Sequence, residues 1–153
     1  ENTPKPLLSV AGKPILEHII RKLEGISHIN KIYIVTNDKF EQHFRKWLEN
    51  FDSEKPIEII NDGTKSNEDR LGALGDIHHV INIKNIDDEI LVVAGDNLFE
   101  LSLADVFNYF KKTKSNVIVL YDVKDPELAK HYGVVEISSN LIVNFEEKPV
   151  SPN

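Results

Sequence analysis

The chain has 153 residues, of which 41% are hydrophobic and 28% charged, which is the composition of a globular protein long enough to bury one core. Its formal net charge of −7 argues against a general nucleic-acid-binding protein, because such proteins carry a basic surface. The chain has no cysteine, and no apolar run approaches the roughly 20 residues of a membrane-spanning helix, so we expect no disulfide, no membrane partner and a cytoplasmic location.

Helical and strand patterns alternate along the chain. Apolar residues at helical spacing follow Pro14, which suits the first turn of a helix, and Asp38 and Ser102 are each placed to cap a helix. The first predicted elements are a helix over 14–23, a strand over 31–36, a helix over 38–50, a strand over 57–60 and, after a polar loop over 61–69, a helix over 71–81. The next are a strand over 89–94, a helix over 102–112, a strand over 116–123, and a hairpin of 133–137 with 141–145 turned by Ser139 and Asn140.

This order predicts an α/β fold. Strands that alternate with helices imply a mostly parallel sheet with helices on both faces, and the closing hairpin adds an antiparallel pair. No internal repeat, low-complexity tract or linker interrupts the pattern. We therefore expect residues 1–153 to form a single domain.

Asp96 is the strongest single candidate for chemistry. It follows the apolar run 92–94 and Gly95, which places its carboxylate at the carboxyl edge of a parallel sheet, where open α/β folds bind ligands. A carboxylate oxygen there suits Mg²⁺ beside phosphate groups, and Gly95 leaves room for a close approach. The alternative is that Asp96 and Asn97 only cap the next turn.

Lys5 is a candidate phosphate ligand because it lies between Pro4 and Pro6. A stiff, proline-rich segment can present an ammonium group to an anion with little entropy to lose. The alternative is an ordinary solvated lysine. Lys13 has the same alternative, and its Gly-Lys sequence lacks the spacing of a P-loop.

Glu147, Lys148 and Pro149 close the last predicted strand. Neighbouring residues of a strand point to opposite faces, so the two charged side chains serve one ligand only if the strand ends there. Pro149 favours such an end. The alternative is a solvated run of charges that begins at Glu146.

Four segments, in this order, resemble those of the sugar-1-phosphate nucleotidylyltransferases of the glucose-1-phosphate thymidylyltransferase type, over essentially the whole chain. The segments are Asn2-Thr3-Pro4-Lys5-Pro6-Leu7-Leu8 with the following 11–15, Gly95-Asp96, Tyr132-Gly133-Val134-Val135-Glu136, and Glu147-Lys148-Pro149. The first is similar to the segment that follows the family's glycine-rich loop, and the last to its sugar-phosphate clamp. The resemblance implies a Rossmann-like nucleotide-diphospho-sugar transferase fold.

The resemblance also implies roles for individual residues. Lys5 would contact phosphate groups, and Asp96 would hold Mg²⁺. Gly133 would present its backbone to the sugar, Glu147 would accept hydrogen bonds from sugar hydroxyls, and Lys148 would neutralise the sugar phosphate. Lys5 and Lys148 are thereby expected to act in catalysis.

Gly72 would lie near the nucleotide base and allow its close approach. The family's glutamine before this loop and its Gly-Thr-Ala step are not reproduced here, and Arg70 is an unusual neighbour that could touch a phosphate or the base.

The function implied is transfer of a nucleotidyl group from a nucleoside triphosphate, with dTTP or UTP favoured, to a sugar 1-phosphate. A sugar-phosphate oxygen would attack the α-phosphorus in line, giving a nucleotide sugar and pyrophosphate without a covalent enzyme intermediate.

Two departures from the family motivate alternatives. The glycine-rich Gly-x-Gly-Thr-Arg segment is expected before Asn2, and a second metal-binding aspartate well beyond Lys148, so the resemblance implies a core domain truncated at both ends. A non-catalytic nucleotide-sugar-binding or regulatory relative is one alternative. A glycosyltransferase is a weaker one, since the Asp-x-Asp step of such enzymes is absent at Asp96. An incomplete domain would expose apolar sheet surface, and we therefore consider a homo-oligomer.

Overall fold

The computed structural model describes residues 3–66 and 68–152, so Asn2 of the first motif lies outside the described residues. The chain divides into two compact units, one running to Ser115 and the other beginning at Asn116. Helices, one parallel strand pair and two antiparallel pairs confirm the predicted α/β class, with the parallel pairing confined to a single pair among the described residues.

The first unit opens with a short 3-10 helix, Lys5–Leu7, and a small hairpin of β1 (Ser9–Val10) and β2 (Lys13–Pro14). Ala11 and Gly12 turn the hairpin with φ angles of 51° and 81°, as a two-residue turn between antiparallel strands requires. Helix α1 (Ile15–Glu24) follows directly. Pro14 therefore precedes the helix with extended backbone, and the prediction that it lies in the first turn is wrong.

The core of the first unit forms where α1 packs on a parallel strand pair. The buried face of α1 recurs at helical spacing, and Ile20 is only 1% exposed. Strand β3 (Ile32–Thr36) pairs in parallel with β4 (Ile57–Asn61). The two strands contribute the buried residues Ile32, Ile34 and Ile59 to the same cluster as the apolar face of α1.

Helix α2 (Glu41–Leu48) lies between these strands in sequence and buries Phe44 in the core. The predicted cap, Asp38, is wrong, because the helix begins three residues later and has no side-chain cap. Asn37 Oδ1 instead accepts a hydrogen bond from Phe40 N at 3.2 Å, which shapes the turn that leads into the helix.

Two further helices complete the first unit. Helix α3 (Gly72–Lys84) is three residues longer at its C-terminus than the sequence predicts, and ends at Asn85 in left-handed conformation. Helix α4 (Leu103–Thr113) confirms the predicted cap, since Ser102 Oγ accepts a hydrogen bond from Asp105 N at 3.2 Å.

The strands predicted over 89–94 and 116–123 are wrong. Neither segment has a ladder of hydrogen bonds to a neighbouring strand within the described part of the chain. Both retain an apolar sequence, and side chains such as Val92 and Tyr121 are 57% and 88% exposed. Composition predicts the preference for extended backbone, whereas a strand also needs a partner for its N–H and C=O groups.

The second unit is built on the predicted hairpin. Strands β5 (Gly133–Ser138) and β6 (Leu141–Glu147) pair antiparallel, with an irregularity between Glu136 and Ile137. Ser139 and Asn140 form the turn with φ angles of 51° and 63°. A short helix, α5 (Pro126–Ala129), capped by Asp125, precedes the hairpin and was not predicted. Within the described residues, no helix has the length and apolarity needed to cross a membrane.

Asp76, in the second turn of α3, carries a buried carboxyl oxygen, Oδ1, with no hydrogen-bond partner among the described residues. Burial raises the pKa of Asp76 above its ordinary value of 3.8, and the negative charge of Asp62 acts in the same direction. His79, also on α3, opposes them. Asp76 therefore favours its protonated form more strongly in the folded chain than in the unfolded one.

This raised pKa predicts that Asp76 weakens the fold as the pH rises. Its contribution is fully present below the ordinary value of 3.8 and is lost as the pH passes through the raised pKa. Asp76→Asn cannot ionise, so its stability relative to the wild type should increase between about pH 4 and about pH 8 in urea unfolding. Leu74→Ala, on an exposed residue of the same helix that has no ionisable group, should keep a constant difference. A constant difference for both variants would contradict the prediction.

Candidate active site

Lys5 and Asp96 lie side by side although 91 positions separate them in the sequence. Lys5 Nζ donates a hydrogen bond to Asp96 Oδ2 at 3.0 Å. The side chains are 63% and 41% exposed, so the pair is open to solvent and to ligands. The structure thus brings together the two residues that the sequence singles out for phosphate and metal.

Packing of the backbone around the pair fixes its position. Lys5 begins the 3-10 helix behind Pro4, which is buried, and Leu7 N donates a hydrogen bond to Pro4 O at 2.9 Å. A Cβ added at Gly95 would lie 3.8 Å from Pro6 Cγ and 3.9 Å from Leu16 Cδ1. The turn that carries Asp96 therefore rests against the Lys5 segment and against α1.

Two features of the Asp96 carboxylate suit it to bind a divalent cation. Its oxygens are hard donors of the kind that Mg²⁺ prefers. A cationic group, the Lys5 ammonium, already lies on one of them at 3.0 Å. Among the described residues, no group of three or more His, Asp or Glu side chains could hold a metal ion, so Asp96 would need further ligands from substrate or water.

Gly133, Glu147 and Lys148 form a second cluster, in the second unit. Gly133 pairs with Glu147 in the ladder of β5 and β6. Lys148 N donates a hydrogen bond to Tyr132 O at 2.9 Å just beyond the ladder. The end of the hairpin therefore holds all three residues at one place.

Strand β6 ends at Glu147, immediately before Lys148, as Pro149 led us to expect. Lys148 itself adopts a φ of 49°. This left-handed backbone interrupts the alternation of side chains along the strand. Lys148 Nζ consequently lies 3.9 Å from Glu147 Oε1, with both side chains more than 60% exposed. The two charged groups are placed to meet one polar ligand.

Phe145 is a residue that the sequence analysis missed. A Cβ added at Gly133 would lie 2.7 Å from Phe145 Cε2 and 3.1 Å from Glu147 Oε2. The aromatic ring therefore covers Gly133, and a larger residue there would have to push the ring aside. Phe145 lies two positions from Glu147, the strand partner of Gly133, and an aromatic residue diagonal to a glycine across a hairpin is the sequence feature that could have indicated this contact.

Gly72 belongs to neither cluster. It begins α3 with a φ of 74°, a conformation that favours glycine, and no atom of the described residues lies within 4 Å of a Cβ added to it. The described part of the chain thus leaves space above Gly72. Arg70, two residues earlier, is exposed.

The full chain, residues 1–153, matches the family model described as nucleotidyl transferase. The chain belongs to this family. The match runs through both units, and the segments that carry Lys5, Asp96 and Lys148 all lie within it.

The chain is also similar to curated proteins of several archaea. The chain is 37% identical to the bifunctional protein GlmU of Methanococcus maripaludis over 97% of its own length and 31% of the relative's. It is 33% identical to GlmU of Methanocaldococcus jannaschii over 99% of the chain and 32% of the relative. It is also 27% identical to the UTP–glucose-1-phosphate uridylyltransferase AglF of Haloferax volcanii, over 99% of the chain and 59% of the relative. The chain spans about a third of the length of the first two.

The contact between Phe145 and Gly133 generates a prediction. Gly133→Ala places a methyl group against the ring and should destabilise the hairpin by about 1–3 kcal/mol. Faster amide hydrogen exchange across 133–147 would report this loss. Phe145→Leu in the same chain should restore part of the protection. Gly25→Ala is the matched control, because its nearest atom is at an ordinary 3.7 Å. Unchanged exchange in Gly133→Ala would show that the ring does not confine this position.

Proposed function

We propose that the protein transfers a nucleotidyl group from a nucleoside triphosphate to a sugar 1-phosphate and releases pyrophosphate. The observation that carries this proposal is the 3.0 Å contact between Lys5 Nζ and Asp96 Oδ2. Two motifs that lie far apart in the sequence, each expected at the triphosphate, meet at one place. Family membership supports the same reaction class.

In this proposal each cluster takes one substrate. Lys5 binds the phosphates of the nucleotide, and Gly72 lies beside its base. Glu147 accepts hydrogen bonds from the sugar hydroxyls while Lys148 neutralises the sugar phosphate, and their 3.9 Å separation suits a ligand that carries both groups. We also propose that residues 1–153 act as a single nucleotidyltransferase core domain, because the family match spans both units.

The chemistry is an in-line displacement. An oxygen of the sugar phosphate forms a bond to the α-phosphorus as the bond from that phosphorus to the β-phosphate oxygen breaks, and pyrophosphate leaves. Both substrates are polyanions, so charge repulsion is the main obstacle. Lys5 and Lys148 reduce it, and fixing the reactants in line supplies much of the remaining rate enhancement.

Asp96 would hold the divalent metal that we propose as cofactor, with Mg²⁺ favoured because the donor is a hard oxygen beside phosphates. Bound there, the ion would neutralise charge that develops on the α-phosphate. Oxygens of the triphosphate and water would complete its coordination, since Asp96 is the carboxylate that the described residues place next to Lys5.

For the nucleotide we favour dTTP or UTP. Among the relatives, the name of the Haloferax volcanii protein gives UTP and glucose 1-phosphate as its substrates, which supports testing this pair first.

A non-catalytic protein that binds nucleotide sugars is the second candidate. The observation that favours it is the absence, among the described residues, of a cluster of three or more metal-ligating side chains. Such a protein would bind UTP or a nucleotide sugar in calorimetry and release no pyrophosphate.

Removing either member of the Lys5 and Asp96 pair should abolish most activity. With UTP or dTTP, glucose 1-phosphate and Mg²⁺, Lys5→Ala and Asp96→Ala should each lower the rate of pyrophosphate release about 10²- to 10³-fold. Asp87→Ala, on an exposed residue outside the site, should retain the wild-type rate. Normal turnover by Asp96→Ala would refute the proposed mechanism.

Lys148 should act on the sugar phosphate alone. Lys148→Ala should raise the KM for the sugar 1-phosphate about 10- to 100-fold, because a charge-assisted hydrogen bond to the phosphate is lost. Lys148→Arg, which keeps the charge, should recover part of this loss, and the KM for the nucleotide should stay unchanged in both variants. An equal rise in both KM values would assign Lys148 a structural role instead.

A further inference from the structure

Asp96 Oδ2 is an oxygen that two different cations would use. In the structure it accepts a hydrogen bond from the Lys5 ammonium at 3.0 Å. In the proposed function the same carboxylate holds a divalent metal, and the same lysine binds phosphate. An ammonium group and a metal ion repel each other at so short a distance, so both cannot occupy this oxygen at once.

The surroundings of the pair allow a change of partner without a change of fold. Lys5 and Asp96 are 63% and 41% exposed, so their contact can open by rotation of side chains. The backbone beneath them is fixed, with Pro4 buried and Gly95 packed against Pro6 and Leu16. The long, flexible stem of lysine can carry its ammonium group to a neighbouring anion while the backbone stays in place.

We propose that Lys5 is the resting counter-ion of Asp96, and that the metal–nucleotide complex displaces it, so that Lys5 exchanges the carboxylate for a phosphate of the incoming triphosphate. This inference rests on the proposed function. It gives Lys5 a second role: the lysine keeps the Asp96 charge balanced in the free protein. Metal and triphosphate then bind favourably only together, since the metal replaces Lys5 on Asp96 and the phosphate replaces Asp96 on Lys5.

The exchange makes an unusual prediction for metal-free nucleotide. In the presence of EDTA, a triphosphate must compete with Asp96 for Lys5. Asp96→Asn removes the competitor and should tighten UTP binding, while in Mg²⁺ the same variant should weaken it because the metal ligand is lost. One substitution would thus change affinity in opposite directions under the two conditions.

A double-mutant cycle separates this exchange from simple removal of a negative charge. Isothermal titration with UTP in EDTA would compare the wild type, Lys5→Gln, Asp96→Asn and the double variant. If Asp96→Asn acted only by removing charge repulsion, it should raise the affinity for UTP by the same factor in the wild type and in Lys5→Gln. The exchange predicts an additional increase in affinity, roughly two- to fivefold for an exposed ion pair, only where Lys5 is present. The matched control is a second cycle with Lys13→Gln in place of Lys5→Gln. In the Lys13→Gln background, Asp96→Asn should increase the affinity for UTP as much as it does in the wild type.

Two results would overturn the exchange. One is an equal effect of Asp96→Asn with and without Lys5, which would mean that Lys5 keeps its contact with Asp96 when nucleotide is bound. The other is tighter UTP binding by Asp96→Asn in Mg²⁺ as well as in EDTA. Failure of the proposed function is distinguishable by a parallel assay of pyrophosphate release. A wild type that binds UTP but releases no pyrophosphate contradicts nucleotidyl transfer and leaves the exchange to be decided by the cycle, whereas a wild type that binds neither UTP nor dTTP under either condition contradicts both.

Discussion

The packing of α1 on the parallel pair β3 and β4 is the contact on which the rest of the first unit depends. This helix supplies five of the buried residues of the core, including Ile20 at 1% exposure. One of them, Leu16, also lies beneath Gly95. The 3-10 helix that carries Lys5 joins α1 through the small hairpin. A single apolar helix face thus holds both the segment of the lysine and the turn of the aspartate, and the closeness of these two backbone segments follows from this packing.

Local sequence patterns predicted most of the helices and the last hairpin. Ser102 predicted the start of α4, and the apolar spacing after Pro14 predicted α1. Ser139 and Asn140 predicted the turn between β5 and β6. These features depend on residues close together in the chain, which is why composition and spacing suffice to find them. The prediction of a cap at Asp38 was wrong because local pattern does not distinguish between neighbouring residues of similar chemistry. Asn37, one residue earlier, accepts the hydrogen bond instead.

Features that depend on distant partners could not be predicted from local pattern. Segments 89–94 and 116–123 have the composition of strands, yet pairing requires a second strand in register. The 3.0 Å approach of Lys5 to Asp96 and the ring of Phe145 over Gly133 are likewise tertiary. The resemblance to a family named the residues of both clusters, whereas their contacts and the left-handed backbone of Lys148 came only from the structure.

Segment 116–121, which has no strand partner among the described residues, affects how the chain behaves at high concentration. The segment contains no charge and no proline, and it reads Asn116-Val117-Ile118-Val119-Leu120-Tyr121. Most of its residues have a high β-propensity and are exposed. Six residues of this kind are enough to template a cross-β contact between identical chains. The net charge of −7 opposes such contacts through mutual repulsion. Salt, by screening that repulsion, would shift the balance from dispersed chains towards assembly through this segment.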